Sequence, residues 1–291
     1  MVVSDIWEWS GTDYLGRDTQ QSYHYLFHRF ETLFGDRLLE SIGSEEIYNF
    51  LEALTEHSSK STRRLRYAQL KAFYNLIIEN HDLNMKNPCS VSLLSRSFKM
   101  PKQVAKKILD KETVDEMIYN TRNLRDRLIL ELQARCGLRI GEVLRLRAKD
   151  ISDRKLILRE PKSGKDEEVA FMPEQVAKRL VSYCNIKKLT PEDRIFPICY
   201  STARSLVKRY GQKLNVEMSP HDLRRHSATY ASRNGVPLEI ISKVILRHQD
   251  LKTTQVYLGK VSDSEAIRWM DVLHERWYQC EPGLWGLLIT L

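Results

Sequence analysis

Apolar residues recur at helical spacing along most of this chain, and strand-like alternation replaces that period in only one place. Tyr23, Phe27, Phe30 and Phe34 lie on one helical stripe before Gly35. Ile47, Phe50, Leu51 and Leu54 form a second, and Leu65, Leu70, Phe73, Leu76 and Ile77 a third within Ser61–Glu79. The same period returns in Leu109–Met117, in Arg125–Cys136 through Leu128, Ile129 and Leu132, and after Arg139 through Val143, Leu144 and Leu146. It continues through Val176 and Leu180, in Ser201–Leu214, in Leu238, Ile241, Val244 and Ile245, and in Ser262–Tyr278. Against this, Lys155–Glu160 and Glu167–Met172 alternate polar and apolar residues, the period of paired strands. The fold class predicted is mainly α with a small antiparallel β-sheet.

At 291 residues the chain is long enough for two cores. Residues 1–100 read as a compact helical bundle, 84–107 as a linker marked by Pro88, Pro101 and fading periodicity, and 108–291 as a second domain with a C-terminal helix. The formal net charge of +8 favours a polyanionic partner. Arg63, Arg64, Arg66 and Lys71 share the third helix, and Arg204 and Lys208 the helix from Ser201, so these six are candidate phosphate contacts. The five cysteines are odd in number and scattered, which suits free thiols in a reducing cytosol. The opening residues show no basic-then-apolar pattern and no apolar run reaches membrane-span length, so neither a signal peptide nor a membrane anchor is expected.

The chemistry concentrates in Ser219–Tyr257. Ser219, Pro220 and Asp222 form a helix start, and Asn234-Gly235 a stop. His221 and Arg224 then share a face of the first turns, where unpaired N–H groups and the helix dipole favour an anion. Arg224 offers a planar fork to two phosphate oxygens. His248 follows the next helix, and Tyr257 lies nine positions further on.

The ordered set of His221 and Arg224, then His248, then Tyr257 resembles the C-terminal signature of the tyrosine recombinases, the phage integrase family. Gly137-Leu138-Arg139-Ile140-Gly141-Glu142 is similar to that family's first-arginine segment, and the turn after Lys155–Glu160 carries Lys162, with Lys165 as the alternative for its hairpin lysine. The likeness covers roughly residues 108–262. It implies a helical, SAM-like core-binding domain joined to an α/β catalytic domain, closing on double-stranded DNA as a C-shaped clamp. It further implies that Tyr257 attacks a phosphodiester, that Arg139 and Arg224 clamp the non-bridging oxygens, and that His221 and His248 assist. Lys162 would protonate the leaving 5′ oxygen. Glu142 is expected to steady Arg139. The product is a 3′-phosphotyrosyl link that a second 5′-hydroxyl can rejoin, with neither metal, cofactor nor ATP, in a tetramer on DNA, within the cytoplasm. Two departures stand out: Arg225 occupies the place where the family commonly has His, and Arg247 the place where it usually has Gly.

Each residue also has an ordinary reading. Tyr257 alone could be a packing tyrosine, and Arg139 a surface charge at a helix start. Arg225 and His226 are assigned to packing and to solvent or phosphate contact. A type IB topoisomerase shares the nucleophile and clamp, and a DNA-binding regulator could keep the fold without cleavage. A metal-dependent nuclease fits least, because His221 and His226 lack ligand spacing and no carboxylate cluster accompanies them.

Overall fold

A computed structural model describes residues 2–9, 16–99, 108–159 and 167–258, with Ile267 and Met270; at Glu8, Trp9, Arg17, Asp18, Val256 and Tyr257 it describes the backbone alone. The chain divides into two compact units, Met1–Val104 and Ala105–Leu291.

In the first unit α1 (Ile6–Trp9), α2 (Arg17–Phe34), α3 (Ser44–Thr55), α4 (Lys60–Asn80) and α5 (Ser92–Ser97) surround an aromatic core. Phe27 meets Phe73 at 4.8 Å between ring centroids, and Phe30 meets Phe50 at 5.1 Å. Tilted and edge-on pairs of this kind add about 0.5–1.5 kcal/mol beyond their buried area. Helix α4 starts at Ser59, whose hydroxyl accepts the Thr62 amide at 3.2 Å, and it turns Leu65 outward.

Where a linker was expected from residue 84, the chain is structured as far as Phe98. A 3-10 turn at Pro88–Ser90 leads into α5, and Cys89, Leu94 and Phe98 are fully or almost fully buried in the first core. Phe98 stacks on Tyr67, whose hydroxyl donates to the Cys89 carbonyl at 2.9 Å. Pro88 and the serines therefore open short helical turns, and three widely spaced apolar residues suffice to dock them. Residues 100–107 lie outside the described residues.

The second unit is built on α7 (Leu124–Ala134), whose Leu128, Ile129, Leu130 and Leu132 have no exposure. Around it pack α6 (Lys111–Tyr119), α8 (Ile140–Arg145), α9 (Glu174–Ile186) and α11 (Pro220–Arg233), while α10 (Tyr200–Lys213) packs on α8. Strands β1 (Ile151–Ser152), β2 (Lys155–Arg159) and β3 (Glu167–Phe171) form an antiparallel sheet in the order β1-β2-β3. Leu158 pairs with Glu168, and Leu156 with Ala170. This register sets Glu168 and Ala170 on the buried face and leaves Val169 and Phe171 outside, the reverse of what hydrophobic alternation favours.

After Gly235, at φ +81°, the chain enters α12 (Leu238–Ile240), which passes into a π turn, Ile241–Leu246. The inward residues there are Ile241, Ser242 and Leu246, because the wider turn shifts the face that a 3.6-residue period assigns to Val244 and Ile245. Helix α13 (Leu251–Leu258) follows. The C-terminal helix expected over Ser262–Tyr278 lies outside the described residues except at Ile267 and Met270, which are helical and exposed.

Candidate phosphate-binding site

Gly137 is the hinge of the site. Its φ of +64° belongs to the left-handed region, and an added Cβ would stand 2.8 Å from Ile245 Cγ2 and 2.9 Å from the Ile245 carbonyl. The absence of a side chain lets the α7–α8 turn touch the π turn.

Arg224, on the second turn of α11, has 1% exposure. Its guanidinium donates to the carbonyls of Gly137 and Leu246, stitching α11 to both turns. The start of α11 is fixed twice: Asp222 accepts from the Ser219 amide at 2.9 Å and hydroxyl at 2.6 Å, and Gln133 of α7 donates to the Pro220 carbonyl at 3.1 Å. His221, next in sequence, is exposed.

Arg139 caps α8, with its side chain one-third exposed. Glu142, one turn on, accepts the Arg139 amide at 2.8 Å and its guanidinium at 2.6 Å. Glu142 also receives Arg247 at 2.7 Å and lies 4.0 Å from Arg224. Burial acts to raise this carboxyl; the charge of Arg247 and the bonds from Arg139 outweigh it, so it sits below the ordinary carboxylate value.

His248 is half-buried, and its Nδ1 lies 2.9 Å from Thr254 Oγ1. Thr254 directs its own proton to Ser242 Oγ at 2.9 Å, so it accepts Nδ1–H, and Nε2 keeps the lone pair of the neutral ring. Burial first, then the charges of Arg224, Arg139, Arg247 and His221, pushes the His248 imidazole down to about 4. Arg224 itself joins the two neighbouring turns, since its bonded carbonyls belong to Gly137, two residues before Arg139, and Leu246, two residues before His248. Tyr257 lies on α13, which packs against α11 and the π turn, but its side chain is outside the described residues. So are Lys162 and Lys165.

The candidate phosphate contacts separate into two groups. Arg204 and Lys208 are exposed on α10. In the first unit Arg63 pairs with Glu52, Arg64 lies over Tyr67, and Lys71 is half-buried. Arg66 donates to the Ser22 carbonyl at 2.6 Å and to Gln69 at 3.0 Å, with desolvation lowering its pKa. Arg63 and Arg66, both candidate phosphate contacts, thus also have partners within their own unit. Arg225 pairs with Asp222 at 2.8 Å, and His226 lies 3.0 Å from the Leu109 carbonyl, in keeping with their assignment to packing.

Sequence reasoning did not single out Glu168 and Thr254, and it noted Arg247 only as a departure. Glu168 reads as a solvated strand residue, and Thr254 as a helix-start residue. The signal for Arg247 was a bulky residue where glycine is usual; it stands at φ +51°. Among the described residues no three His, Cys, Asp or Glu side chains gather as a metal site, and no helix is long and apolar enough to cross a membrane.

A mainly helical chain whose small antiparallel sheet adjoins a cluster of arginines and histidines is the class that fold and site define. The profile of the phage integrase family matches residues 101–263, and the chain belongs to that family. Tyrosine recombinase XerA of Saccharolobus solfataricus is 32% identical over 159 residues, 54% of this chain and 53% of that protein. XerA of Pyrococcus horikoshii is 34% identical over 171 residues, 55% of this chain. The chain spans little more than half the length of these two relatives, 53% and 58%. Tyrosine recombinase XerD of Pseudomonas aeruginosa is 24% identical over 84% of this chain and 87% of its own. The fold matches that of the Tn1549 transposon integrase in complex with a circular intermediate DNA, with a TM-score of 0.73 at 17% identity over 94% of this chain and 99% of the other. It also matches a lambda integrase dimer bound to a COC′ core site, with a TM-score of 0.69 at 17% identity over 88% and 92%.

Proposed function

We propose that this protein is a site-specific DNA recombinase that cuts and rejoins double-stranded DNA through a 3′-phosphotyrosyl intermediate at Tyr257. The observation that carries the reading is the Arg224 guanidinium bonded to the carbonyls of Gly137 and Leu246, which ties α11 to the turns that present Arg139 and His248, with α13 packed against α11 and the π turn. Such a place accepts a phosphodiester and stabilises the charge that grows on its oxygens in the transition state.

In this reading the Tyr257 oxygen forms a bond to phosphorus while the bond to the 5′ oxygen breaks. The phenolic proton passes to His221, and the hairpin lysine, Lys162 or Lys165, gives a proton to the leaving oxygen. Arg139 and Arg224 balance the charge of the phosphorane, so no divalent metal has a part in the scheme. His248 becomes a donor to the phosphate only after it takes up a proton. Arg204 and Lys208, with Arg64 and Lys71, are assigned to the DNA backbone. Strand exchange calls for four protomers on two duplexes, and the protein is placed in the cytoplasm, on DNA; the free thiols of Cys89, Cys136, Cys184 and Cys199 suit that compartment.

Covalent trapping tests the reading. Purified protein is incubated without metal and with EDTA on nicked fragments of genomic DNA, denatured in detergent, and the attached DNA is sequenced. The expected result is an adduct with the wild type and none with Tyr257→Phe, which keeps its DNA affinity. An adduct with Tyr257→Phe, or a strict need for Mg²⁺, overturns the assignment.

A further inference from the structure

Arg247 is held where a side chain of its size costs backbone energy. Its φ of +51° and ψ of +50° lie in the left-handed region, and it directly precedes His248. The residue is nonetheless 6% exposed, and its guanidinium reaches four elements of the second unit. Nη1 donates to the Ile245 carbonyl at 2.9 Å, within the π turn. Nη2 donates to Glu142 Oε2 at 2.7 Å and lies 3.5 Å from the Gly137 carbonyl, the oxygen that also holds Arg224. Nε lies 3.5 Å from Glu168 Oε2 on β3.

Glu168 makes the arrangement specific. It is 8% exposed on the inner face of the sheet, opposite Leu158, while Val169 and Phe171 face out. A carboxylate on the core side of a strand is costly unless a cation answers it, and Arg247 is that cation among the described residues. Strand β3 is also the strand that returns from the lysine-bearing turn. One guanidinium therefore touches the carboxylate that steadies Arg139, the carbonyl that steadies Arg224, the turn that presents His248, and the strand at the base of the hairpin.

We propose that Arg247 is a positioning residue: it locks the hairpin strand to the His248 turn through Glu168 and sets Glu142 beneath Arg139, so that the proton-donating lysine and the phosphate clamp share one frame. The proposal rests on the recombinase reading above. The Arg247 guanidinium is engaged by the Ile245 carbonyl, Glu142 and Glu168, and it acts through the groups it holds.

The test measures covalent-adduct formation on a nicked duplex of the sequence recovered by trapping, made with either a 5′-bridging oxygen or a 5′-bridging sulfur. A sulfur leaving group departs without a proton, so it bypasses the hairpin lysine. Wild type, Arg247→Met, Glu168→Gln and the double variant are compared, with melting temperatures recorded; Glu168→Gln is the near-isosteric change that guards against misfolding. The expected loss on the oxygen duplex is roughly 10²-fold, the scale of a small misplacement of a catalytic group. On the sulfur duplex the loss shrinks at least tenfold, and the double variant is no slower than Arg247→Met alone. Equal losses on both duplexes, or losses that multiply in the double variant, overturn the proposal. A wild type that forms no adduct removes the recombinase reading and this inference together.

Discussion

Nδ1 of His248 and Oγ1 of Thr254 are 2.9 Å apart, joining the turn before α13 to a residue three positions ahead of Tyr257. The contact fixes which ring nitrogen carries the proton and ties the late histidine to the tyrosine's own helix. Thr254 is wholly buried, so no water can take its place without a cavity. Thr254→Val removes the acceptor at nearly constant volume. The expected outcome is a roughly 10- to 100-fold slower adduct formation, the scale of losing the two hydrogen bonds of the buried Thr254 to His248 and Ser242, with Thr254→Ser near wild type. Single-turnover trapping with the three proteins measures it.

The state of His248 also sets a pH dependence. Folding moves its pKa down from 6.5 to about 4, so between those values the unfolded chain binds more protons than the folded one. Stability therefore falls as pH drops through that window and is unaffected by this group above it. His248→Gln should flatten that part of a denaturation series taken between pH 4 and 7. A phosphate beside the ring acts in the opposite sense, so DNA binding near pH 6 should take up a proton. Calorimetry in buffers of different ionisation enthalpy reads that proton directly.

Gly137→Ala should damage both fold and site. The methyl enters a left-handed backbone and stands 2.8 Å from Ile245 Cγ2. The expected cost is roughly 2–4 kcal/mol, combining left-handed strain with local overpacking. Cleavage should fall further than stability accounts for, because the Gly137 carbonyl anchors Arg224. Denaturant titration paired with adduct kinetics at 20 °C below the melting point separates the two losses.

Phe98→Ala tests whether the segment after residue 84 belongs to the first core. Phe98 is 1% exposed and stacks on Tyr67, so its removal should cost about 3–5 kcal/mol. The loss should appear as faster amide exchange in α3 and α4, with α7 and α11 unchanged.

The helices and the sheet were legible because their signals are local. Ser219 with Asp222 starts α11, and Phe27, Phe30 and Phe34 mark the buried stripe of α2. The arginines and histidines were legible through their order along the chain. Three things were not. The docking of Cys89, Leu94 and Phe98 depends on a surface built by other helices, so short-range periodicity is silent there. The π turn at Ile241–Leu246 is set by what Gly137 and Arg224 require of it, while the local spacing reads as an ordinary helix. The inward turn of Glu168 runs against its own strand pattern, and only a distant residue, Arg247, reverses the preference.

That buried group of charges has a consequence for what the site will hold. Arg139, Arg224 and Arg247 bring three positive charges, Glu142 and Glu168 two negative ones, and His248 is neutral. Among these six described groups the carboxylates answer two of the three arginine charges. In the recombinase reading the two carboxylates thereby set how much positive charge is left to face a phosphodiester, so neutralising either of them would make the centre more attractive to anions in general and less selective among them.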